Sequence, residues 1–594
     1  MAYATKAIVA VALIYFSQFL RNFLRNIVNG RAIKLPLVIV PVDQTSLLWL
    51  ILAPLGRKQL QQILPVQVWN RLAISIFGWE FHEKLRPFQQ FADDRGDGKG
   101  LSYLLAGLGQ LELWTADPIA VQDILLRHRD FEVPHSLEFA LGQYGPNVLT
   151  TNGDQWTRHR RIVSSVIDER ISKTVFEESI QQTRGLLGEI QPSKSLNNPQ
   201  TTDTFHLFDM LKKITIHVLL TAGMGRTVAW NDGNDQEADK GFRMTHIRSL
   251  TTVVTSIAGA GLLPTGMLTH WPRWLPGHDK MTSIGRAKNE VQMRSKIILE
   301  AERISMARGE TSGSTNNIMR KLLEASQDGH DSGKPLSEAE MISNLFIFTA
   351  AGFETTATLL AYAMVLLARY PMWQDWLLEE VDELASVDEP SEPTEYTAAF
   401  PRAIRTMAFM YETLRLYSPV CHVHRETASP QTLQTATGTV HLPAKTRIYV
   451  NSVAVHLLPI WRDINRDSDP PFYKQEPTAS ADEHAFRPSR WLNPPDKTQR
   501  IYHPPKGTWI PWAMGPRVCP GQKMAQVEFT AVVLTLLRRC RIDAVPLDGE
   551  GRKETEERLD AELRDSSWVT VLQMNNVFDP KPNKGLPMRF SRRR

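Results

Sequence analysis

Apolar residues recur at helical spacing through three long stretches, Ser337 to Tyr370, Pro401 to Tyr417 and Gln522 to Arg539. Each predicts a helix with a buried face. Ser337-Glu338-Ala339-Glu340 sets a capping box ahead of the first, with Ser at the N-cap and Glu at the third helical position. Short β-favouring runs occur at Leu111 to Thr115 and Arg447 to Val453. Polar stretches at Trp230 to Lys240, Gly309 to Asn317, Asp328 to Pro335, Asp388 to Glu395 and Asp469 to His484 predict loops. The charged run Leu547 to Asp565 predicts an exposed insertion. No internal repeat is evident. The pattern therefore predicts a mainly α body with a small β region.

The N-terminus differs. Ala7 to Leu20 is almost wholly apolar and is bounded by Lys6 and Arg21. It falls short of the roughly 20 residues of a spanning helix, but snorkelling of the two flanking cations extends it. Arg21, Arg25 and Arg31 place an excess of positive charge on the side that stays cytosolic. Residues 1–30 are thus expected to form a retained N-terminal membrane anchor, with a cleaved signal peptide as the competing reading. A second apolar run, Leu35 to Leu55, carries Pro36, Pro41, Asp43 and Pro54. It suits a proline-containing, membrane-proximal segment over 31–60 better than a second span. Residues 61–594 remain as a single catalytic domain.

Composition narrows the class. The 594 residues are 42% hydrophobic and 22% charged, as in ordinary globular proteins. A formal net charge of +4 is too mild to argue for nucleic acid. Three cysteines, Cys421, Cys519 and Cys540, cannot build a disulfide framework and fit a reducing compartment.

One segment carries chemistry. Trp512-Ala513-Met514-Gly515-Pro516-Arg517-Val518-Cys519-Pro520-Gly521 sets a lone cysteine in a turn just before the apolar run Met524 to Leu537. A single thiolate cannot complete a zinc site, which takes about four ligands. It can be the one protein ligand of an iron whose other positions a porphyrin fills. Glycine lets the backbone turn tightly against a flat cofactor, and the Arg517 guanidinium matches a propionate carboxylate. Taken alone, a free cysteine also reads as a buried, inert side chain. Inside the first long helix, Ala350-Ala351-Gly352-Phe353-Glu354-Thr355-Thr356 groups small residues, an acid and hydroxyls. A helix ladder opened beside a ligand and a tight helix crossing with Thr hydroxyls bonded back along the helix both account for it. Glu412 and Arg415 share a helix face at i, i+3, which by itself reads as a surface ion pair. Trp156 and Arg160 lie one turn apart and can face one ligand, while Arg158 and Arg161 read as an exposed face.

The cysteine segment resembles the haem-binding signature of the cytochrome P-450 family, Phe-x-x-Gly-x-Arg-x-Cys-x-Gly. Gly515, Arg517, Cys519 and Gly521 match it, and Trp512 stands where the family usually has Phe. Ala350 to Thr356 resembles the family's oxygen-activation motif. Phe486-Arg487-Pro488-Ser489-Arg490-Trp491 resembles its Phe-x-Pro-x-Arg-Trp element, and Asn152 to Arg161 its Trp-x-x-x-Arg helix. These motifs occur in family order. The resemblance implies the P-450 fold and haem b (iron protoporphyrin IX) with Cys519 as its metal ligand. It sets Trp156, Arg160, Arg425, Trp512, Gly515, Arg517 and Gly521 around the cofactor. It gives Thr355 the role of hydrogen-bonding dioxygen and Glu354 that of relaying protons. Glu412, Arg415 and Arg490 would form a buried structural triad. Phe131 to Val148 and Val420 to Val423 would line the pocket and offer Phe131, Phe139, Tyr144, Cys421 and His422, which equally suit ordinary core.

The function so implied is a haem-thiolate monooxygenase that inserts one atom of dioxygen into a lipophilic small molecule, a terpenoid or polyketide-type secondary-metabolite intermediate. No flavin or nicotinamide domain fits after the cysteine loop, so electrons would come from NADPH through a separate cytochrome reductase in the membrane. Lys523, Arg538 and Arg539 are candidate docking charges. The expected location is the endoplasmic reticulum, with the catalytic domain facing the cytosol and a fungal character in the long loops. Two alternatives stay open: a rearrangement or dehydration without external electrons, and a haem sensor without turnover.

Overall fold

The computed structural model describes residues 2–593 apart from 45, 47–55, 77, 92–99, 191–200, 233–237, 258–260, 262, 310–315, 328–333, 386–394, 475–481, 495–499, 569 and 577–585. Most of the polar stretches expected as loops fall on these gaps, and so lie largely outside the described residues.

The chain opens on α1 (Ala2–Ala32). Side chains 1–16, which hold most of the expected anchor, lie outside the described residues. The end of α1 is bolted to the body: Asn26, 2% exposed, donates to the carbonyls of Gly107 and Gly109, both at 3.0 Å. Next, β1 (Leu37–Ile39) runs parallel to β2 (Ser102–Ala106), which turns back on β3 (Leu111–Thr115). The start of the Leu35 to Leu55 run therefore joins a sheet, with Val38 and Val40 buried. α2 (Pro118–Leu126), β4 (Phe131–Glu132), α3 (Gly153–Val166), α4 (Glu169–Ile190) and α5 (Leu207–Met224) follow.

The centre is α6 (Glu338–Arg369). Its capping box forms: the Ser337 hydroxyl accepts from the Glu340 amide at 3.3 Å, and the Glu340 carboxylate accepts from the Ser337 amide at 2.8 Å. Among the described residues, α6 is the one helix that could cross a membrane by length and composition. Its most apolar window is 83% buried inside the protein, so it is the core helix. α5 crosses it, and α7 (Ile404–Leu416) packs beside it. β5 (His422–Thr427) and β6 (Arg447–Asn451) complete a six-stranded sheet of order β1-β2-β3-β6-β5-β4. The strand expected over Arg447 to Val453 stops at Asn451, whose side chain accepts from the Ala454 amide at 2.9 Å and caps a short helix.

The cysteine loop leads into α8 (Gln522–Arg539), then α9 (Arg552–Arg564) and the hairpin β7 (Ser566–Trp568) to β8 (Leu572–Met574). The expected exposed insertion is thus corrected. α9 packs on α6 through Leu559 and Leu563, 1% and 3% exposed, while Arg369 forks onto Asp560 at 2.9 and 3.1 Å. Two leucines one turn apart suffice to dock a helix whose other faces are charged. The described parts of Asp469 to His484 keep the expected irregular character, with short helical turns at Pro471–Lys474 and Asp482–His484, but they hold buried charges. Asp469 and Asp482, 5% and 1% exposed, both pair with the buried Arg487.

Candidate active site

The cysteine loop is shaped by what lies against it. Gly515 has φ +73°, and a Cβ there would sit 2.6 Å from the Leu125 carbonyl of α2, so glycine is required on both counts. The Cys519 amide donates to the Trp512 carbonyl at 3.0 Å and closes the turn. Cys519 sits deep in the body, with its surface open to an internal cavity of about 870 Å³. Burial pushes its thiol up, while the amides of Gly521 and Gln522 and the Arg160 guanidinium favour the thiolate.

The loop is locked from behind. Glu412 is fully buried and accepts from Arg415 Nε and Nη2, both at 2.9 Å, from Arg490 Nε at 3.0 Å, and from the Arg487 amide and Trp491 Nε1, each at 2.9 Å. Burial opposes the charge, but Arg415 and Arg490 win and hold its carboxyl at about 2. The expected triad is therefore brought together, reinforced by the Trp491 indole and the Arg487 amide of the same Phe486 to Trp491 element. Trp512 joins the aromatic wall beside it, edge-on to Trp509 at 5.6 Å and Tyr411 at 6.1 Å.

Among the described residues, four arginines line the cavity, and three of them, Arg160, Arg425 and Arg517, are the ones expected around the cofactor. Arg160 Nη1 donates to the Val518 carbonyl at 2.8 Å. Arg517 lies over the Trp156 ring at 4.5 Å and donates to Thr151 O at 2.7 Å and Asn152 Oδ1 at 2.9 Å. Arg425 donates to the His424 carbonyl at 2.6 Å. All three line the cavity with Trp156. Among the described residues, the Nε atoms of Arg425 and Arg517 have no hydrogen-bond partner. Burial pushes Arg425 down to about 10 and Arg517 to about 9, the latter helped by the Arg425 charge. Two buried guanidiniums with donors aimed at nothing are what two propionates would satisfy. The residues fit a porphyrin seated on Cys519. The expected exposed face is half right: Arg161 is exposed, but Arg158 pairs with Glu340 and donates to the Pro335 carbonyl at 2.8 Å.

On α6, the tight-crossing reading of the small-residue stretch holds, and the same stretch borders the cavity. A Cβ on Gly352 would come within 3.1 Å of Leu219 on α5, so the helix crossing needs a small residue. The Thr355 hydroxyl donates back to the Ala351 carbonyl at 2.8 Å. Yet Ala351, Gly352, Glu354 and Thr355 all line the cavity. Glu354 is buried, and its Oε2 accepts from Thr570 Oγ1 at 2.7 Å. Burial pushes its carboxyl up; Thr570 and the Lys212 charge pull the other way. No local signal in the sequence pointed to Thr570, which lies 216 positions away.

The segment expectation holds, since parts of Phe131 to Val148 and of Val420 to Val423 line the cavity, while three of the offered side chains take the ordinary-core alternative. Of the five offered side chains, His422 lines the cavity. Phe131 is wholly buried under Arg127, Cys421 is wholly buried, and Tyr144 packs on Phe346 at 4.7 Å. The Phe139 side chain lies outside the described residues. The wall is built instead by smaller neighbours in the same segments, Val133, Leu137, Leu141, Val148, Val420 and Val423.

A mostly helical body, a lone cysteine at a buried cavity and unsatisfied arginines beside it define a haem-thiolate protein. Comparison with known proteins agrees. The family model for cytochrome P-450 matches residues 113–562, and the chain belongs to that family. It is 47% identical over 592 residues, covering 99% of each chain, to a phomenoic acid biosynthesis cluster cytochrome P-450 monooxygenase of Leptosphaeria maculans. It is 28% identical over 86% of its length, and 87% of the relative's, to a cytochrome P-450 monooxygenase of Penicillium roqueforti. Among solved structures, a cytochrome P-450DA haem domain superposes with a TM-score of 0.60 at 17% identity, over 83% of this chain and 90% of that one. A cyanobacterial P-450 with retinoic acid bound gives 0.58 at 16%, over 86% and 96%. The protein is a monooxygenase of this family, with haem b as its prosthetic group.

Proposed function

We propose that the enzyme inserts one oxygen atom of dioxygen into a lipophilic secondary-metabolite intermediate of terpenoid or polyketide type, with electrons from a separate NADPH-dependent reductase. The observation that carries this reading is Cys519 opening onto a largely apolar cavity that Glu354 and Thr355 of α6 also line. Haem b supplies dioxygen activation and oxygen-atom transfer when bound. Cys519 would hold it through the thiolate, and Arg160, Arg425, Arg517 and Trp156 would seat its propionates. Gly521 and Gln522 tune the sulfur through their amides.

Protonation falls to α6. Burial raises the Glu354 carboxyl and so favours its protonated form. Thr355 Oγ1 sits one residue on, where it can release the Ala351 carbonyl and present its proton to the cavity. Apolar side chains such as Leu137, Leu219, Ile347 and Phe348 exclude water from that space. The name of the Leptosphaeria relative, which places that protein in a biosynthetic cluster, supports a secondary-metabolite substrate. Electron delivery is assigned to the charges of α8, Lys523, Arg538 and Arg539, of which Lys523 already pairs with Glu169.

The same reading retains α1 as an anchor in the endoplasmic reticulum membrane, with the body cytosolic. Supporting it are the exposed apolar side chains Phe19, Leu20, Leu24 and Val28 on α1, with Ile63, Val66 and Val68 nearby in sequence. The test is reconstitution with a microsomal reductase, NADPH and extracts of a host carrying the pathway without this gene. One metabolite should gain a single oxygen from labelled dioxygen, only when reductase and NADPH are both present. Conversion without either would replace this reading by a rearrangement.

A further inference from the structure

Three glycines, two at the end of α5 and one on the helix it crosses, are there for different reasons. Gly225 closes α5 in the left-handed region, at φ +66°, where a side chain is strained. Gly352 gives the crossing room, as its Leu219 contact shows. Gly223 has neither reason. It lies in the last turn of α5 with ordinary helical backbone, where glycine weakens a helix relative to alanine. A Cβ added to it would meet nothing within 4 Å. The same holds for Gly188 on α4, but Gly188 is exposed, so the space beside it is solvent. Gly223 is buried, so the space beside it is inside the protein. That space belongs to the cavity onto which Cys519 opens: Gly223 lines it with Leu219, one turn earlier on α5. Met224, Ile318 from a helix packed on α5 (Ile318–Gln327), and Leu345 and Phe348 from the first half of α6 add only apolar side chains. Thr349 lines it as well, but its hydroxyl already donates to the Leu345 carbonyl at 3.0 Å.

We propose that Gly223 is a specificity-determining residue: the side chain it lacks leaves a slot for the hydrocarbon end of the substrate, an alkyl or prenyl terminus without oxygen. The inference rests on the monooxygenase reading and adds to it how the substrate lies and how long it can be. The chemistry of the walls selects the occupant. Among the described residues named above, none offers a buried oxygen a free donor, and burying an oxygen unanswered is costly. A charge would fare worse. An unfilled slot forfeits dispersion contacts on its open side, and a hydrocarbon restores them without needing a hydrogen bond. The oxygenated part of a substrate then lies elsewhere in the cavity, and a longer apolar end is accepted because Gly223 does not close the way.

The test uses purified holoenzyme and straight-chain primary alcohols of increasing length, octanol, dodecanol and hexadecanol. Dissociation constants are read from the Soret shift on binding, and in the wild type they are expected to fall with length. Gly223→Leu fills the slot. It should leave octanol within about twofold and weaken hexadecanol about tenfold, the loss of a few buried methylenes. Gly223→Ala should give an intermediate length preference. Its methyl meets nothing, so it should also raise the melting temperature of the ligand-free holoenzyme. Equal losses for all three alcohols, or none in either variant, overturn the assignment. So does a lower melting temperature in Gly223→Ala, which would mean that the room is absent. Haem lost from both variants would give the space to the porphyrin and overturns it as well. Should Gly223→Leu not fold, Gly223→Ala with the same alcohols decides. The reduced carbon monoxide spectrum of the wild type reports the family chemistry separately. Its absence would overturn the monooxygenase reading, whereas an unmoved length preference with that spectrum intact bears on Gly223 alone.

Discussion

Two buried glutamates show how one residue type is put to opposite uses. Glu412, behind the cysteine loop, receives five hydrogen bonds, and its carboxyl is held at about 2. Glu354, on the stretch of α6 that lines the cavity, is also buried but receives one side-chain hydroxyl, from Thr570, and its carboxyl is pushed up. Burial opposes ionisation in both; the number and charge of the partners decides the outcome. The first is a permanent anion that fixes the loop. The second is the group proposed to relay protons beside the cavity.

The largest effect should come from breaking the saturated side. Glu412→Ala leaves two buried guanidiniums without their anion and should cost about 3–5 kcal/mol. The expected result is loss of folded, haem-containing protein, measured by haem content and thermal unfolding. Next is the unsaturated side. Thr355→Ala and Glu354→Gln should each keep the fold and the haem but lower the ratio of product to NADPH consumed several-fold, the lost electrons appearing as peroxide or water. Unchanged coupling in both would remove α6 from proton delivery.

The two glutamates also predict opposite responses to pH. Glu412 has a folded value below its unfolded one, so its contribution is complete above about 4.5 and is lost as pH falls toward about 2. Glu354 has a raised folded value, so it ionises more readily unfolded and destabilises increasingly as pH rises above about 4.5. Glu354→Gln should therefore raise the melting temperature at neutral pH and leave it little changed near pH 4. A variant less stable than wild type at neutral pH would break the comparison. The smallest effect is expected at Trp512→Phe. It trims an edge-on contact with Trp509 and Tyr411, costs about 1 kcal/mol and leaves the Soret band of the thiolate complex in place.

What was legible in the sequence follows from range. The cysteine loop, Trp156 with Arg160, and Glu412 with Arg415 are local patterns, and the structure assembles each as its spacing allows. The capping box of α6 is local too. Thr570 on Glu354, and Trp491 and Arg487 on Glu412, act across 216, 79 and 75 positions, and no local spacing marks them. α9 was hidden for another reason: its apolar stripe is only Leu559 and Leu563, too narrow to stand out in a charged run. Asp469 and Asp482 looked like loop polarity because their partner, Arg487, lies inside a motif already explained by Arg490.

The most direct measurement is the absorption spectrum of the reduced carbon monoxide complex, taken on wild type and on Cys519→Ala at matched haem loading. The wild type should show the red-shifted Soret band of a thiolate-ligated haem, and the variant should lose it. A wild type that binds no haem, or a variant that keeps that band, would contradict the assignment of Cys519.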